Sequence, residues 1–221
     1  MNYTLKFRDI WLNFDLIKEG LLYTTFISLI AVVIALIIGI IIAALRTGKI
    51  EILAKLGTVY VEALRNTPLL VQLWLLYFGL VEVGIDLSAL TCGIIALGLN
   101  IGAYTSEVIR AGFNAIDKEI IDAAASLGFN SWQTMKKIKI PLAIRGVLPA
   151  IGNVIIQCLL ATSLLSVLGI NELTNQALRL SSKTFRSFES YIVIALIYIL
   201  LTLGITSTFS IINKNMKGSL H

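Results

Sequence analysis

Very few side chains of this sequence belong to the types that usually carry out catalysis or bind metal ions. The only histidine, His221, is the last residue, which excludes most histidine-based catalysis and metal binding. Cys92 and Cys158 lie in apolar segments and form no Cys-x-x-Cys pair, so we interpret them as packing residues. The sequence has no Gly-x-x-x-x-Gly-Lys-Ser/Thr phosphate-binding loop, so any ATP hydrolysis must come from another polypeptide. The sequence therefore predicts no catalytic residue, no metal site and no cofactor.

One group of acidic residues could still suggest an enzyme that works at the membrane surface. A lipid-modifying transferase would need acidic residues or histidines clustered near one membrane interface, and Asp117, Glu119 and Asp122 are clustered. These carboxylates lie on an alanine-rich segment, and their spacing does not resemble a set of metal ligands. A membrane-embedded enzyme is therefore the less favoured alternative to a transport function.

Polar side chains at intervals of one helical turn are a stronger chemical signal. Asn100, Tyr104 and Glu107 stand at positions i, i+4 and i+7, and therefore on one face of a helix. Asn153 and Gln157 form a second pair, and Gln157 lies about 16 Å into its apolar segment. Polar side chains inside a membrane-spanning helix usually face the bundle interior or a water-filled cavity. Asn100, Tyr104 and Gln157 are thus candidates for a substrate pathway, with polar packing between helices as the alternative.

Glu107 and Gln72 are weaker candidates for this pathway. Glu107 is near the end of its apolar segment and within reach of Arg110 one turn later, which favours packing at the helix end. Gln72 and Pro68 suggest a kinked helix beside the pathway, a feature that more often reflects shape than recognition. No carboxylate, Lys or Arg falls at the predicted mid-membrane depth. Neither a strongly cationic nor an acidic substrate therefore has an obvious anchor.

The composition predicts that these side chains are held by an all-α integral membrane protein. The 221-residue chain is 57% hydrophobic and only 14% charged, far more apolar than an ordinary soluble domain. Runs of about 20 apolar residues are typical of membrane-spanning helices. One run is weaker because it contains Glu62, Arg65 and Pro68. The sequence predicts one transmembrane domain over residues 21–213, with five spans at about 21–45, 56–81, 87–110, 146–171 and 190–213.

The distribution of basic residues predicts the orientation of the five spans in the cell membrane. Of the 18 Lys and Arg residues, 12, including Lys49, fall on one side of the predicted membrane and 6 on the other. Because basic residues are enriched in cytoplasmic loops, we expect the N-terminus outside and the C-terminus in the cytoplasm. Residues 1–20 are then an external interfacial segment, 173–180 an external amphipathic helix, and 214–221 a cytoplasmic tail. The net charge of +5 belongs to these flanking residues and does not indicate nucleic acid binding.

The link between the third and fourth spans, about 35 residues, is much longer than a turn needs. In the segment 116–141, Asp117 is the predicted N-cap of a short helix, and Gly128 is predicted to end it in a left-handed conformation. Ser131 is predicted to cap a second helix over 132–139, which Pro141 would stop. Small alanines with apolar neighbours would form a compact knob, suitable for a groove on a soluble partner.

Three motifs of the chain resemble those of permease subunits of bacterial ABC importers. The cytoplasmic signature of these subunits is acidic-Ala-Ala, three residues, Gly, nine residues, then Ile-x-aliphatic-Pro. It is matched by Asp122–Ala124, Gly128 and Ile138–Pro141, with aspartate in place of the usual glutamate. Arg65–Gln72 resembles the second-span entry motif of the polar amino-acid uptake family, and Gly102–Arg110 resembles its third-span exit motif. The resemblance covers approximately residues 21–213.

This resemblance implies a permease that works with several partners. A separate ABC ATPase dimer would receive the cytoplasmic coupling helix, and a second permease subunit, identical or different, would complete the solute path. An extracytoplasmic substrate-binding protein would deliver an amino acid, neutral or polar and possibly cystine. A different small solute of the same importer class is the alternative. The coupling residues implied are Ile120, Asp122, Ala123, Ala124, Leu127 and Gly128.

Two positions depart from the family pattern. Residues 117–120 lack the Gly-Gln pair that usually stands just before the acidic residue, and Leu160-Ala161 replaces a polar, often lysine-containing pair. The second departure weakens any transfer of function to that part of the fourth span.

Overall fold

All the regular secondary structure of the protein is helical in the residues that its computed structural model describes, 4–48 and 50–218. Residues 1–3 and 219–221 of the predicted terminal segments, and Lys49 of the basic residues, lie outside this described part. A π-helical turn at Met135–Lys139 and a 3₁₀ helix at Thr162–Leu168 interrupt the α-helices. The α-helices are α1 Arg8–Trp11, α2 Phe14–Thr47, α3 Glu51–Arg65, α4 Leu69–Glu82, α5 Ala89–Asn114, α6 Lys118–Ser126, α7 Ser131–Thr134, α8 Ile140–Ala161, α9 Leu173–Thr184 and α10 Ser187–Gly218.

Four helical stretches of the described chain are long and apolar enough to cross a membrane. They correspond to the first, third, fourth and fifth predicted spans. The first and the last extend past both predicted ends, whereas the stretch from Ala89 begins after residue 87 and the stretch to Leu168 ends before residue 171. The first, α2, begins at Phe14 and not at Leu21. The stretches are Phe14–Thr47, Ala89–Asn114, Ser131–Leu168 and Ser187–Met216.

The second predicted span, 56–81, is divided into two helices and is not one kinked helix. Helix α3 ends at Arg65, and the apolar α4 begins at Leu69 and has only 14 residues. Pro68 is extended, with φ −62° and ψ 135°, and a proline also disfavours helical geometry in the residue before it. A helix of 14 residues is shorter than the roughly 20 that a straight span needs. The break at residues 66–68 therefore replaces a continuous second span.

The N-terminal segment does not form the separate interfacial helix that the sequence predicted. Residues 14–20 belong to α2, and only the four-residue α1 precedes it. The chain is held here by α9 and the start of α10. Lys183 Nζ donates to Asn13 Oδ1 at 2.7 Å, and the Lys6 amide donates to Glu189 Oε1 at 2.9 Å. These bonds tie the beginning of the chain to the link between the last two long helices.

The predicted amphipathic helix at 173–180 is confirmed and continues to Thr184. Glu172 caps it by accepting from the amides of Asn175 at 2.7 Å and Thr174 at 2.8 Å. Leu173, Ala177 and Leu180 are fully buried and form a small core with Ile10, Ile17, Val193 and Ile194.

The principal core lies between α2 and α5, where small residues let the two backbones approach closely. A Cβ placed on Gly98 would stand 2.6 Å from Ile34 Cγ2, and one on Gly102 would stand 2.9 Å from Ile38 Cγ2. Small residues at intervals of four are typical of contacts between membrane helices. Helix α5 therefore has a fixed position against α2, and this positions its polar face.

The segment after α5 forms a compact helical unit that continues directly into α8. Asp117 stands at the N-cap of α6 but makes no side-chain cap bond. Gly128 has φ +81°, as predicted, with its amide bonded to Ala125 O and that of Phe129 to Ala124 O. The second helix is capped by Asn130 in a capping box with Gln133, and not by Ser131.

Pro141 does not stop the second helix, contrary to the prediction. The helical stretch runs from Ser131 to Leu168, with Pro141 in the first turn of α8. A proline in a helix lacks one hydrogen bond and crowds the carbonyl four residues earlier. The wide π-helical turn at Met135–Lys139 lies just upstream and changes the bonding pattern there. The chain therefore passes the proline without ending the helix.

Candidate functional site

A cavity of about 420 Å³ lies beside the break between α3 and α4. Its walls come from the break itself, from α5 and from α8. All three residues that the sequence named as pathway candidates lie on it. The polar residues of its wall are Arg65, Asn66, Thr67, Asn100, Tyr104 and Gln157.

Two buried amides satisfy the backbone carbonyls that the broken helix leaves open. Asn100 Nδ2 donates to Leu64 O at 3.0 Å and to Gln72 Oε1 at 3.1 Å. Gln72 Nε2 donates to Leu64 O at 2.8 Å, to Thr67 O at 3.1 Å and to Thr67 Oγ1 at 2.7 Å. The last carbonyls of a helix have no partner inside it and need one when they are buried. Gln72 is therefore a packing residue, whereas Asn100 both supports the break and faces the cavity.

Arg65 lines the cavity although the sequence did not indicate it as a pathway residue. By sequence position it belongs with the basic residues that flank the spans. The structure places Arg65 on the cavity wall, with Cζ 5.2 Å from the centre of the Tyr104 ring. An arginine over an aromatic face is held by a cation–π contact. The signal that could have found it is Pro68, because a helix that ends before this proline turns its last residues towards the break.

Gln157 contributes from α8 an amide without a hydrogen-bond partner in the described chain. Its side chain is exposed and lines the same cavity as Arg65 and Tyr104. Asn153, one turn earlier, lies on a different cavity between α8 and α10, so the two do not act as a pair. The first cavity thus combines a guanidinium, a phenol and an amide without a lining carboxylate. Such a set can hold the carboxylate and polar groups of a small zwitterion.

Glu107 is held by arginines from three helices and does not line the cavity. It is bonded to Arg46 of α2 through Nη1, and to Arg110 Nη2 at 2.9 Å. Arg65 Nη1 lies 3.9 Å from the same carboxylate. The contact with Arg110 that the sequence suggested is therefore present, and two further contacts join it. This cluster fixes the ends of α2, α3 and α5 beside the cavity.

The α6–α7 unit exposes an apolar surface that no described residue covers. Leu127 is 78% exposed, Trp132 71% and Ile120 39%. Among the residues named as coupling contacts, Asp122, Ala123 and Gly128 are also exposed. Ala124 is different, because it is 2% exposed and packs inside the unit. Exposed large apolar residues on a small protruding unit are typical of a protein interaction site.

Comparisons with known proteins identify similar membrane transport proteins. The chain is 35% identical over 207 residues to the probable glutamine ABC transporter permease protein GlnM of Bacillus subtilis, covering 94% of this chain and 96% of that protein. It is 32% identical over 210 residues to the glutamine transport system permease protein GlnP of Escherichia coli, with the same coverage.

Solved structures share the fold. A crystal structure of an amino acid ABC transporter with histidines matches with a TM-score of 0.92 and 38% identity, over 96% of this chain and all of that chain. An inward-facing MetNI methionine ABC transporter, at 19% identity, matches with a TM-score of 0.72. The family of binding-protein-dependent transport system inner membrane components matches residues 35–218. The chain therefore belongs to this family of membrane transport components, which are permeases and not enzymes.

Proposed function

We propose that this chain forms the translocation path for an amino acid in an ATP-driven importer, through the cavity beside the α3–α4 break. The observation that carries the proposal is that Arg65, Asn100, Tyr104 and Gln157, from three separate helices, line one cavity of about 420 Å³. Polar groups are costly inside a membrane bundle and persist where they meet a solute. The names of the similar permeases support an amino acid as that solute.

The chemistry of the wall favours a neutral, polar amino acid. The guanidinium of Arg65 can bind a substrate carboxylate. The amide of Gln157 can donate to a polar substrate side chain through its NH₂ group and accept through its carbonyl oxygen. No carboxylate lines the cavity to bind a cationic side chain. Arg65 also supplies a cationic anchor that was not evident from the sequence. Glu107 Oε1 lies 3.9 Å from Arg65 Nη1 and partly compensates its charge. A glutamine-like substrate fits this set, and another small carboxylate-bearing solute is the second candidate.

The proposed topology has five crossings, with the N-terminus outside and the C-terminus in the cytoplasm. The broken pair α3 and α4 supplies the second crossing, and the four long apolar stretches supply the others. The excess of basic residues beside α3, the α6–α7 unit and the end of α10 supports this orientation. Residues 21–213 then form the transmembrane domain, with a short cytoplasmic tail after it.

The α6–α7 unit is proposed to couple the permease to an ATPase dimer in the cytoplasm. Ile120 and Leu127 would enter a groove of that partner, with Asp122, Ala123 and Gly128 beside them. Ala124 would act from within, by holding the unit together. Because α7 continues through the π-helical turn into α8, movement of the unit would reach Gln157 on the cavity wall.

A second permease subunit and an extracytoplasmic binding protein complete the proposed assembly. A single chain with five crossings offers few helices to enclose a solute, and its cavity is not enclosed by this chain. The partner subunit is proposed to complete the enclosure. The binding protein is proposed to deliver the substrate to the face formed by α1 and α9. Whether the second subunit is a copy of this chain is decided by which chains copurify.

The proposal is tested by uptake of labelled glutamine into proteoliposomes that contain the complete importer. Gln157→Leu should lower uptake efficiency about tenfold, the usual cost of losing a hydrogen bond to a polar ligand. Asn153→Leu is the matched control, because Asn153 lies on the same helix but on another cavity. Asn100→Leu is unsuitable, since Asn100 also holds the helix break. Equal uptake by both variants would contradict the proposed path.

A further inference from the structure

A second pocket, away from the cavity described above, lies where α2 and α5 end beside the π-helical turn. Its volume is about 430 Å³. Helix α2 contributes Ala44 and Thr47, α5 contributes Arg110 and Asn114, and the π-helical turn contributes Lys139. The pocket therefore joins two of the long helices to the segment that connects the α6–α7 unit with α8.

The pocket is positively charged and has no lining carboxylate. Lys139 makes no ion pair with any carboxylate of the described chain. Arg110 donates through Nη2 to Glu107, but its Nε is buried and has no hydrogen-bond partner. Glu107 is also shared with Arg46 and Arg65, so a single negative charge faces three guanidinium groups. An anion in the pocket would therefore meet uncompensated positive charge.

The remaining walls of the pocket are apolar, and several of their side chains are exposed. Ile40 is 58% exposed, and Met135 and Ile140 are also exposed. The pocket thus combines two cations and an amide with hydrocarbon contacts. This combination suits an amphiphile better than a fully solvated ion, because an ion would leave the apolar walls unused. Basic pockets between membrane helices on the cytoplasmic side are typical sites for anionic lipid headgroups.

We infer that this pocket binds the phosphate of an anionic phospholipid from the cytoplasmic leaflet, with Lys139 and Arg110 as phosphate ligands and an acyl chain along Ile40. The choice of leaflet rests on the proposed orientation of the chain. Lys139 binds as a point charge, and the guanidinium of Arg110 adds a second positive charge on the pocket wall. A lipid in this position bridges α2 and α5 to the π-helical turn and stiffens the connection between the α6–α7 unit and α8.

The test measures lipid retention by native mass spectrometry of the intact importer, released from nanodiscs of phosphatidylglycerol or phosphatidylcholine. Phosphatidylglycerol should be retained and phosphatidylcholine should not. Lys139→Gln should lower the retention of phosphatidylglycerol about fivefold, the usual contribution of one lysine near an anionic lipid. Lys136→Gln is the matched control, because Lys136 is an exposed lysine of the same turn that does not line the pocket.

A second variant tests the apolar part of the site without changing its charge. Ala44 lines the pocket and is exposed, so Ala44→Phe should fill it and lower phosphatidylglycerol retention while the complex stays assembled.

Equal retention by the Lys139→Gln and Lys136→Gln variants would overturn the inference in favour of general attraction to the membrane. Displacement of the lipid by millimolar glycerol phosphate would overturn it in favour of a soluble phosphate ligand. Lipid retention is measured without glutamine uptake. A failure of the proposed substrate path would therefore leave the retention results unchanged, and the two proposals can be rejected independently.

Discussion

At the scale of single residues, the polar side chains divide into those that support the fold and those that face the cavity. The side-chain amide of Gln72 donates hydrogen bonds to the carbonyls of Leu64 and Thr67, whereas the side chain of Gln157 has no hydrogen-bond partner in the described chain. Glu107 belongs to the first group, since three arginines surround it. Similar residue types therefore differ in role according to which atoms lie within hydrogen-bond distance.

Glu107→Gln should destabilise the protein by about 2 kcal/mol, because it leaves partly buried guanidinium groups without a counter-charge. The side chains of Glu107 and Arg46 are 21% and 11% exposed, so water replaces the lost contact poorly. The measurement is the free energy of unfolding in mixed detergent micelles.

Glu51→Gln serves as the control, because the Glu51–Lys55 pair is 80% and 74% exposed. Such a surface pair contributes little, and the control should unfold as the wild-type protein does. A Glu107→Gln protein as stable as this control would refute the structural role of the cluster.

At the scale of elements, the α6–α7 unit depends on one residue with left-handed geometry. Gly128 has φ +81°, and its amide donates to Ala125 O at 3.0 Å to end α6. This turn directs α7 back towards the π-helical turn and leaves Leu127 exposed at the corner. The exposed surface of the unit thus follows from a turn that only glycine adopts readily.

Gly128→Pro should abolish substrate-stimulated ATP hydrolysis by the importer while leaving membrane insertion intact. Proline fixes φ near −65° and removes the amide that ends α6, so the turn cannot form. The assay compares ATP hydrolysis with and without substrate-loaded binding protein, and membrane insertion is measured on the same preparations.

Gly84→Pro is the matched control for this prediction. Gly84 has φ +82° and an amide bond to Val81 O at 3.0 Å, so the substitution removes the same features in the α4–α5 turn. Stimulation should survive there, because that turn is proposed to face the other side of the membrane. Unchanged stimulation in the Gly128→Pro protein would exclude the proposed coupling role.

At the scale of the whole molecule, the bundle is organised around the close contact of α2 with α5. Ile34 and Ile38 pack directly against Gly98 and Gly102, which leaves no space for a side chain at either glycine. Helix α5 also carries Asn100 and Tyr104 on the cavity and Glu107 in the arginine cluster. The packing of these two helices therefore sets the geometry of both polar sites.

Gly98→Val should destabilise the bundle by about 2 kcal/mol, the usual cost of overfilling a packed interface. An added Cβ would lie 2.6 Å from Ile34 Cγ2 and 3.1 Å from Ile34 Cβ, and a β-branched side chain cannot rotate away freely. Gly204→Val in α10 is the control, since nothing lies within 4 Å of its added Cβ. Thermal unfolding in detergent should separate the two variants, and equal midpoints would contradict this account of the interface.

The sequence by itself determined the helical membrane character, four of the long helices, the turn at Gly128 and three residues of the cavity. These features depend on local properties, namely apolar runs, helical periodicity and the conformational freedom of glycine. The same local signals place Asn100, Tyr104 and Gln157 on polar helix faces without reference to the rest of the chain.

Only the tertiary structure decided how the polar residues share their roles. It brought Arg65 to the cavity, turned Ala124 inward, separated Asn153 from Gln157 and collected three arginines around Glu107. Apart from the burial of Ala124 inside its own unit, these outcomes depend on atoms far apart in the chain, above all on the helix break at Pro68 and the passage of the chain beyond Pro141. Periodicity reports which face of a helix is polar, but the partner that meets this face is set by packing between helices.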